Sequence, residues 1–117
     1  MEHDLQFQIV SFLRLSGYMV FQTDVMDGLK FCGNNQNMRM AFINHHKKMG
    51  YIKGQSDLIV LRKGGECIFA ELKTKKGVQS REQKDFQKQV ENLGFRYYIW
   101  RDIKDVAQFV KDNRNDV

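Results

Sequence analysis

Two acidic residues and one lysine form the group in this sequence that is best suited to chemistry. Glu71 and Lys73 alternate with Leu72, so on a β-strand their side chains point to the same face. A glycine turn around Gly64 separates this strand from an apolar run that follows Asp57. A hairpin centred on Gly64 sets Asp57 opposite Glu71, with Cβ atoms about 4.5–5.5 Å apart.

Like charges that face each other across two strands repel, so a fold keeps such a pair only when something offsets the repulsion. Hard cations such as Mg²⁺ bind carboxylate oxygens and keep coordination positions for water and a phosphate oxygen. The ion polarises a phosphodiester and lowers the pKa of its bound water. A nearby lysine can orient that water or stabilise the charge that develops on the phosphoryl oxygens. Asp57, Glu71 and Lys73 together therefore predict metal-dependent hydrolysis of phosphodiesters.

The elements that carry these residues follow from the spacing of the apolar positions. The predicted order is helix 2–15, strand 18–25, helix 38–49, strands 57–62 and 66–73, helix 79–93, strand 95–100 and helix 102–112. Both hairpin strands are apolar on both faces, which is typical of strands covered by helices on each side. We therefore expect one domain over residues 1–117, an α/β fold built as a three-layer α/β/α sandwich around a central mixed β-sheet. In the second helix, Met38, Phe42 and Met49 are expected to face the core.

Composition narrows the class of partner. The 117-residue chain has a formal charge of +5, which favours a polyanion such as nucleic acid. Cys32 and Cys67 suggest neither a disulfide framework nor a metal site, so a reducing cytoplasm is expected. No apolar run approaches the roughly 18 residues of a membrane span, so no membrane partner is expected. On its own, Glu71-Leu72-Lys73 also fits a surface ion pair of little energetic worth.

A wider pattern surrounds the acidic pair, namely Gly54-x-Ser56-Asp57, Glu71-x-Lys73 and Gly77-x-x-Ser80-x-x-Gln83. At this spacing the chain resembles the VRR-NUC family, the virus-type replication-repair nucleases of the PD-(D/E)XK superfamily. The resemblance runs from the first helix to the last strand. It implies a restriction-endonuclease-like fold and a DNA endonuclease that depends on Mg²⁺ or Mn²⁺. It also implies a homodimer, selectivity for branched DNA such as Holliday junctions or flaps, and the cytoplasm of a bacterial or phage-infected cell.

The resemblance implies roles for individual residues. Asp57 and Glu71 would bind the metal ion, and Lys73 would be the catalytic lysine. The family also uses an acid in the first helix, ahead of a Leu/Ile-Gln pair. Glu2, before Leu5-Gln6, matches this acid best as a third metal ligand, and Asp4 is the weaker candidate. Where the family commonly has proline before its aspartate, this chain has Ser56.

Polar and basic residues at the start of the third predicted helix complete the candidate site. Gln83 lies one turn into this helix and is a further catalytic candidate, although Ser80-x-x-Gln83 is also typical of a capping box. Backbone phosphates are bound mostly by Lys and Arg side chains and by helix N-termini. The expected DNA contacts are Lys53, Lys75, Lys76, Ser80, Arg81 and Lys84. A second basic stretch contains Arg39, Lys47 and Lys48.

Two other classes of function stay open at this point. A non-catalytic DNA-binding module would keep the fold and the basic surface, and would bind DNA in a salt-dependent way without cleaving it. An accessory interaction protein would use Asp57, Glu71 and Lys73 only as a structural ion network. The intact set of two acids and a lysine favours the nuclease over both.

Overall fold

The structure is a computed structural model that describes residues 2–24 and 26–114, apart from the side chains of Glu2, His3 and Asp27. Its helices are α1 (Glu2–Leu15), α2 (Gln36–Lys48), α3 (Arg81–Asn92) and α4 (Ile103–Asn113), with a 3₁₀ helix at Met26–Cys32. Its strands are β1 (Met19–Gln22), β2 (Leu58–Arg62), β3 (Glu66–Leu72) and β4 (Arg96–Trp100). Within the described residues, none of the helices has the length and apolar character needed to cross a bilayer.

The four strands form one mixed sheet in the order β1-β2-β3-β4. The first two pairings are antiparallel, and β3 pairs with β4 in parallel. Pairing from Leu58↔Ala70 to Arg62↔Glu66 confirms the predicted hairpin register, which is centred on Gly64. Gly64 itself has a φ of 88°, a left-handed conformation that glycine adopts without steric cost.

Helices cover both faces of the sheet, so the predicted three-layer α/β/α sandwich is confirmed. α1 and α4 bury their apolar faces against the even-numbered side chains of β2 and β3, including Leu58 and Ile68. On the opposite face, Phe86 and Val90 of α3 pack against Tyr97 of β4 and the half-buried Phe69 of β3. Glu71 shares this second face with Phe69, because the two are separated by one residue on a strand.

The segment between β1 and β2 differs from its prediction. The Asp27-Gly28 turn is the start of a 3₁₀ helix, and no residue of α2 is buried. Met38 and Met49 are 51% and 71% exposed, so their expected place in the core is wrong. The reason is that α2 packs mainly against the 3₁₀ helix, through Phe42 at Gly28, and makes no comparable contact with the described part of the sheet.

We call residues 26–49 the arm, because its two helices pack mainly against each other rather than against the described part of the sheet. The molecule measures 51 × 30 × 24 Å and has a radius of gyration of 15.5 Å. A compact chain of this length is expected to have a radius of about 13 Å. β1 is also shorter than predicted, ending at Gln22, while Val25 lies outside the described residues.

Candidate functional site

Asp57 lies where β2 separates from β3. The last backbone pair of these strands is Leu58↔Ala70, so Asp57 precedes β2 and is next in the same register. Its Oδ2 accepts a hydrogen bond of 2.7 Å from the backbone N–H of Leu72. Its carbonyl accepts one of 3.0 Å from the N–H of Thr23, just after β1. The fold thus holds the Asp57 carboxylate at the carboxyl end of β3.

The segment before Asp57 is fixed against two other elements. Gly54 has a φ of +86°, and a Cβ atom built on it would lie only 2.4 Å from the backbone carbon of Glu82. This close approach to the first turn of α3 leaves room for glycine alone. The side chain of Gln55 donates a hydrogen bond of 2.8 Å to the carbonyl of Thr23, whose own hydroxyl donates to the carbonyl of Ser56. The residues of Gly54-x-Ser56-Asp57 therefore hold the backbone before Asp57 in place.

Glu71 is fully buried, and its two carboxylate oxygens have different surroundings. Oε1 accepts hydrogen bonds of 2.6 Å from the Tyr97 hydroxyl and 3.0 Å from Nε2 of Gln79. Oε2 is buried and has no hydrogen-bond partner among the described residues. An unpaired buried carboxylate oxygen is costly, because the charge loses its hydration without compensation. This orphaned oxygen fits a bound cation, which would supply that compensation.

The hydroxyl of Tyr97 connects the two carboxylates electrostatically. Burial raises the pKa of Tyr97, and so do the hydrogen bond to Glu71 and the negative charges of Glu71, Asp57 and Glu91. The phenol therefore stays protonated and donates to Glu71. Asp57 lies close to Glu71 in the chain trace as well, because its Oδ2 accepts the N–H of Leu72, the residue that follows Glu71.

Lys73 follows β3 directly, and its N–H continues the parallel ladder with a 3.0 Å hydrogen bond to the carbonyl of Trp100. Its Cδ would lie 3.3 Å from a Cβ on Gly77, so the glycine leaves room for the lysine side chain. Nη1 of Arg101 donates to the carbonyls of Thr74 and Gly77 at 2.8 and 2.6 Å. Arg101 thereby fixes the turn between Lys73 and α3.

The start of α3 confirms the predicted capping box. The N–H of Gln83 donates to Oγ of Ser80 at 3.2 Å, and the N–H of Ser80 donates to Oε1 of Gln83 at 2.8 Å. The Oε1 atom of Gln83 therefore satisfies a backbone donor of the helix. The same residue also lines a cleft together with Asp57, so it lies at the site as well as in the cap.

Asp57 and Asp24 each line two clefts. One, of about 660 Å³, has Gln6 of α1 and Asp24 on its wall. The other, of about 440 Å³, is bordered by Gln83 and also by Asp24. Glu71 lines neither of them, since it lies beneath the surface. The candidate site thus has an accessible acid, Asp57, and an enclosed one, Glu71.

The acids of the first helix do not complete the site within the described residues. The predicted ligand Glu2 has its backbone in α1, but its side chain lies outside the described residues. Asp4 is exposed and lines a separate cleft with Thr74 and Arg101. Among the side chains that the structure describes, no group of three or more His, Cys, Asp or Glu could hold a metal ion. Besides Asp57 and Glu71, the described acid Asp24 is available there, since it lines both clefts, and its Oδ1 accepts a 2.9 Å hydrogen bond from the N–H of Met26. Mg²⁺ held by one or two carboxylates keeps several waters.

The basic candidates surround the turn after β3 and the start of α3. Lys75, Lys76, Arg81 and Lys84 are exposed there. Lys53 lies across the 440 Å³ cleft, with Nζ 3.6 Å from Oε1 of Glu82. This exposed ion pair is weak, because water screens both charges.

The sequence reasoning missed three residues that shape this site, namely Tyr97, Gln79 and Arg101. Tyr97 is buried in the core, and its contact with Glu71 depends on the register of β3 with β4. No sequence signal specifies that register. Gln79 and Arg101 act through hydrogen bonds between segments that are distant in the chain or joined by an irregular turn, so spacing alone could not identify them.

Comparison with solved structures identifies the fold. A structure described as a VRR_NUC domain matches with a TM-score of 0.67 and 15% identity, covering 94% of each chain. A second, described as a VRR_NUC domain protein, matches with a TM-score of 0.70 and 14% identity, covering 95% of this chain and 85% of its own. No protein-family model and no curated protein sequence matches this chain. The chain therefore has the fold of a VRR-NUC domain, as the sequence resemblance implies; at these identities the likeness is one of fold.

Proposed function

We propose that this protein is a DNA endonuclease that depends on Mg²⁺ or Mn²⁺. The observation that carries the proposal is the buried Oε2 of Glu71, which has no hydrogen-bond partner in the described structure. The Asp57 carboxylate is held at the next residue of the same strand, Leu72. Two neighbouring carboxylates repel each other, and a bound cation would offset the energy of that repulsion. The VRR-NUC fold supports the coarser part of the proposal, a domain of the nuclease type.

Asp57 and Glu71 would hold the ion, and Glu2 is the proposed third ligand. When bound, the ion would polarise the phosphodiester and lower the pKa of a coordinated water. The N–H of Leu72 orients the Asp57 carboxylate, while Tyr97 and Gln79 occupy one oxygen of Glu71. Lys73, on the strand face of Glu71, would stabilise negative charge on the phosphoryl oxygens. Gln83 would contribute from the edge of the cleft.

The distribution of charge supports DNA as the partner. Five of the 19 Lys and Arg residues, and none of the 14 acidic residues, lie between Gly28 and Ser56. Outside this stretch, basic and acidic residues are therefore equal in number, so the net charge of +5 belongs to this stretch, most of which is the arm. Phosphate contacts would come from the arm and from the six candidates Lys53, Lys75, Lys76, Ser80, Arg81 and Lys84.

We also propose that the substrate is branched DNA and that the enzyme is a homodimer. A two-fold dimer would present two active sites to two strands of a junction. On the edge strand β1, the apolar side chains of Met19 and Phe21 are 65% and 42% exposed. An exposed apolar surface of this kind is consistent with contact to a second copy of the chain. Light scattering at working concentration should give the mass of a dimer. A monomer that is fully active on junctions would refute this part of the proposal.

One gel tests the proposed activity. Wild-type protein is incubated with a four-way junction, a flap and a linear duplex, each with Mg²⁺, Mn²⁺ or a chelator. Cleavage with either metal, strongest on the branched substrates and absent with chelator, is the expected result. Cleavage that persists in chelator would contradict metal dependence, and equal cleavage of all three substrates would contradict the selectivity.

The same gel separates the two alternatives. Salt-dependent binding of DNA without cleavage under any metal would identify a non-catalytic DNA-binding module. Absence of both binding and cleavage would identify an accessory protein, in which Glu71 and its neighbours serve the fold alone. The orphaned Oε2 favours the nuclease, because a purely structural network would leave no reason for an unpaired buried oxygen.

A further inference from the structure

The hydrogen bonds of Glu71 are divided unequally between its two oxygens. The hydroxyl of Tyr97 and the side-chain amide of Gln79 both donate to Oε1, at 2.6 and 3.0 Å. Oε2 receives no hydrogen bond in the described structure and is buried. If the two donors only compensated for burial of the charge, one donor on each oxygen would serve better, since each carboxylate oxygen has its own lone pairs. The observed arrangement instead keeps one oxygen available.

The two donors are themselves held in place. Nε2 of Gln79 also donates a hydrogen bond of 2.8 Å to Oε1 of Gln87, which lies on α3. The ring of Tyr97 is buried against Phe86 of the same helix, with ring centroids 6.2 Å apart in an edge-on arrangement. The donors to Glu71 thus come from β4 and from the turn before α3, and α3 fixes both. Rotation of the carboxylate would break two hydrogen bonds at once.

We propose that Tyr97 and Gln79 are positioning residues that saturate Oε1 of Glu71 and thereby present Oε2 to the divalent cation. This inference rests on the proposed function, because it assigns Oε2 to the ion of the nuclease. Neither residue touches the ion or the substrate in this scheme. Groups that orient a metal ligand in this way typically change metal affinity or activity by about 10- to 100-fold when they are removed.

Tyr97→Phe is the sharpest test, because it removes the hydroxyl and keeps the packed ring. Tyr98→Phe is the matched control: it removes a hydroxyl from the neighbouring residue, where the partner is Arg96 and the ring packs under α4 on the other face. Affinity for Mn²⁺ is measured by calorimetry without DNA, and the cleavage rate is then measured as a function of Mn²⁺ concentration.

Tyr97→Phe should weaken Mn²⁺ binding by about 10- to 100-fold, and saturating Mn²⁺ should restore most of the cleavage rate. Tyr98→Phe should bind Mn²⁺ as the wild type does. Unchanged Mn²⁺ affinity in a folded Tyr97→Phe protein would overturn the inference and leave the nuclease intact, because it would reduce Tyr97 to a structural role. A wild-type protein that neither binds Mn²⁺ nor cleaves DNA would overturn the proposed function and this inference with it.

Gln79→Leu provides the second variant, because Gln79 is only half buried in a turn and its loss endangers folding less. It should weaken Mn²⁺ binding in the same direction, and the double variant should be weaker than either single one. If Tyr97→Phe fails to fold, wild-type Mn²⁺ affinity in a folded Gln79→Leu protein overturns the inference by itself.

Discussion

At the scale of single residues, Asp57 has both a structural contact and a proposed catalytic one. Its Oδ2 accepts the N–H of Leu72, beyond the last backbone pair between β2 and β3. Its charge also acts on Tyr97, the residue that contacts Glu71. Substitutions can separate these two contributions, because one preserves an acceptor for Leu72 and the other does not.

Asp57→Asn keeps a side-chain oxygen for the N–H of Leu72 but loses the negative charge. We expect folding stability to stay near that of the wild type, while cleavage falls by roughly 100-fold or more. Asp57→Ala should lose cleavage equally and also leave a backbone donor unpaired, which costs about 1–3 kcal/mol. Thermal melts and single-turnover cleavage measure the two effects. Asp57→Asn that cleaves at the wild-type rate would remove Asp57 from the mechanism.

The sequence could identify Asp57, Glu71 and Lys73 as a group because they lie on a local hairpin with a defined turn. Strand alternation and a glycine-centred register are short-range rules, and both hold here. The partners of Glu71 were beyond such rules. Tyr97 reaches it only through the parallel pairing of β3 with β4, and a parallel register is set by tertiary packing rather than by a turn.

At the scale of elements, the helices and strands with strong apolar periodicity were predictable, and their ends differ from the prediction by a few residues. The arm was not predictable in its packing. Met38 and Met49 have helical spacing that matches a core-facing helix, yet among the described elements α2 packs mainly against the 3₁₀ helix. Periodicity shows that a helix has an apolar side, and the tertiary fold decides whether anything covers it.

The contact of Gly54 with α3 is a second feature at this scale. A Cβ on Gly54 would meet the backbone of Glu82, whereas a Cβ on Gly64 would meet nothing within 4 Å, although the two φ angles are +86° and +88°. Gly64→Ala should therefore cost only the left-handed strain of about 1–2 kcal/mol. Gly54→Ala should cost clearly more in unfolding free energy, and should lower cleavage by moving the segment that supports Asp57.

Denaturant unfolding and cleavage of the two glycine variants check this expectation. Cleavage is compared under conditions where both proteins are folded. Equal unfolding free energies for Gly54→Ala and Gly64→Ala would show that the close approach between this segment and α3 does not exist in solution.

At the scale of the whole molecule, the arm has four basic residues and one acidic residue, and so carries +3 of the net charge of +5. We expect it to contact DNA phosphates, and each such contact contributes about 0.9 to the slope of log K against log salt concentration. Replacing Arg39, Lys47 and Lys48 by Gln should lower that slope by up to about 2.7 and weaken binding. Fluorescence anisotropy in chelator measures binding without cleavage.

The matched control replaces three exposed cations of the α4 region, Lys104, Lys111 and Arg114, by Gln. This variant has the same net charge as the arm variant, so it shows what a general loss of charge does. Equal slopes for the two variants would mean that the arm makes no specific contact and that the +5 charge acts only at long range.

The cleavage rate of Glu71→Gln tests the central claim, that a cation site at Asp57 and Glu71 hydrolyses DNA. Glutamine is nearly isosteric with the buried glutamate and keeps an oxygen that Tyr97 can contact. The matched control is Asp85→Asn, an exposed acid on α3. On a four-way junction with saturating Mg²⁺, folded Glu71→Gln should cleave at least about 100-fold more slowly than the wild type, and Asp85→Asn at the wild-type rate. Cleavage by Glu71→Gln at the wild-type rate would contradict the account.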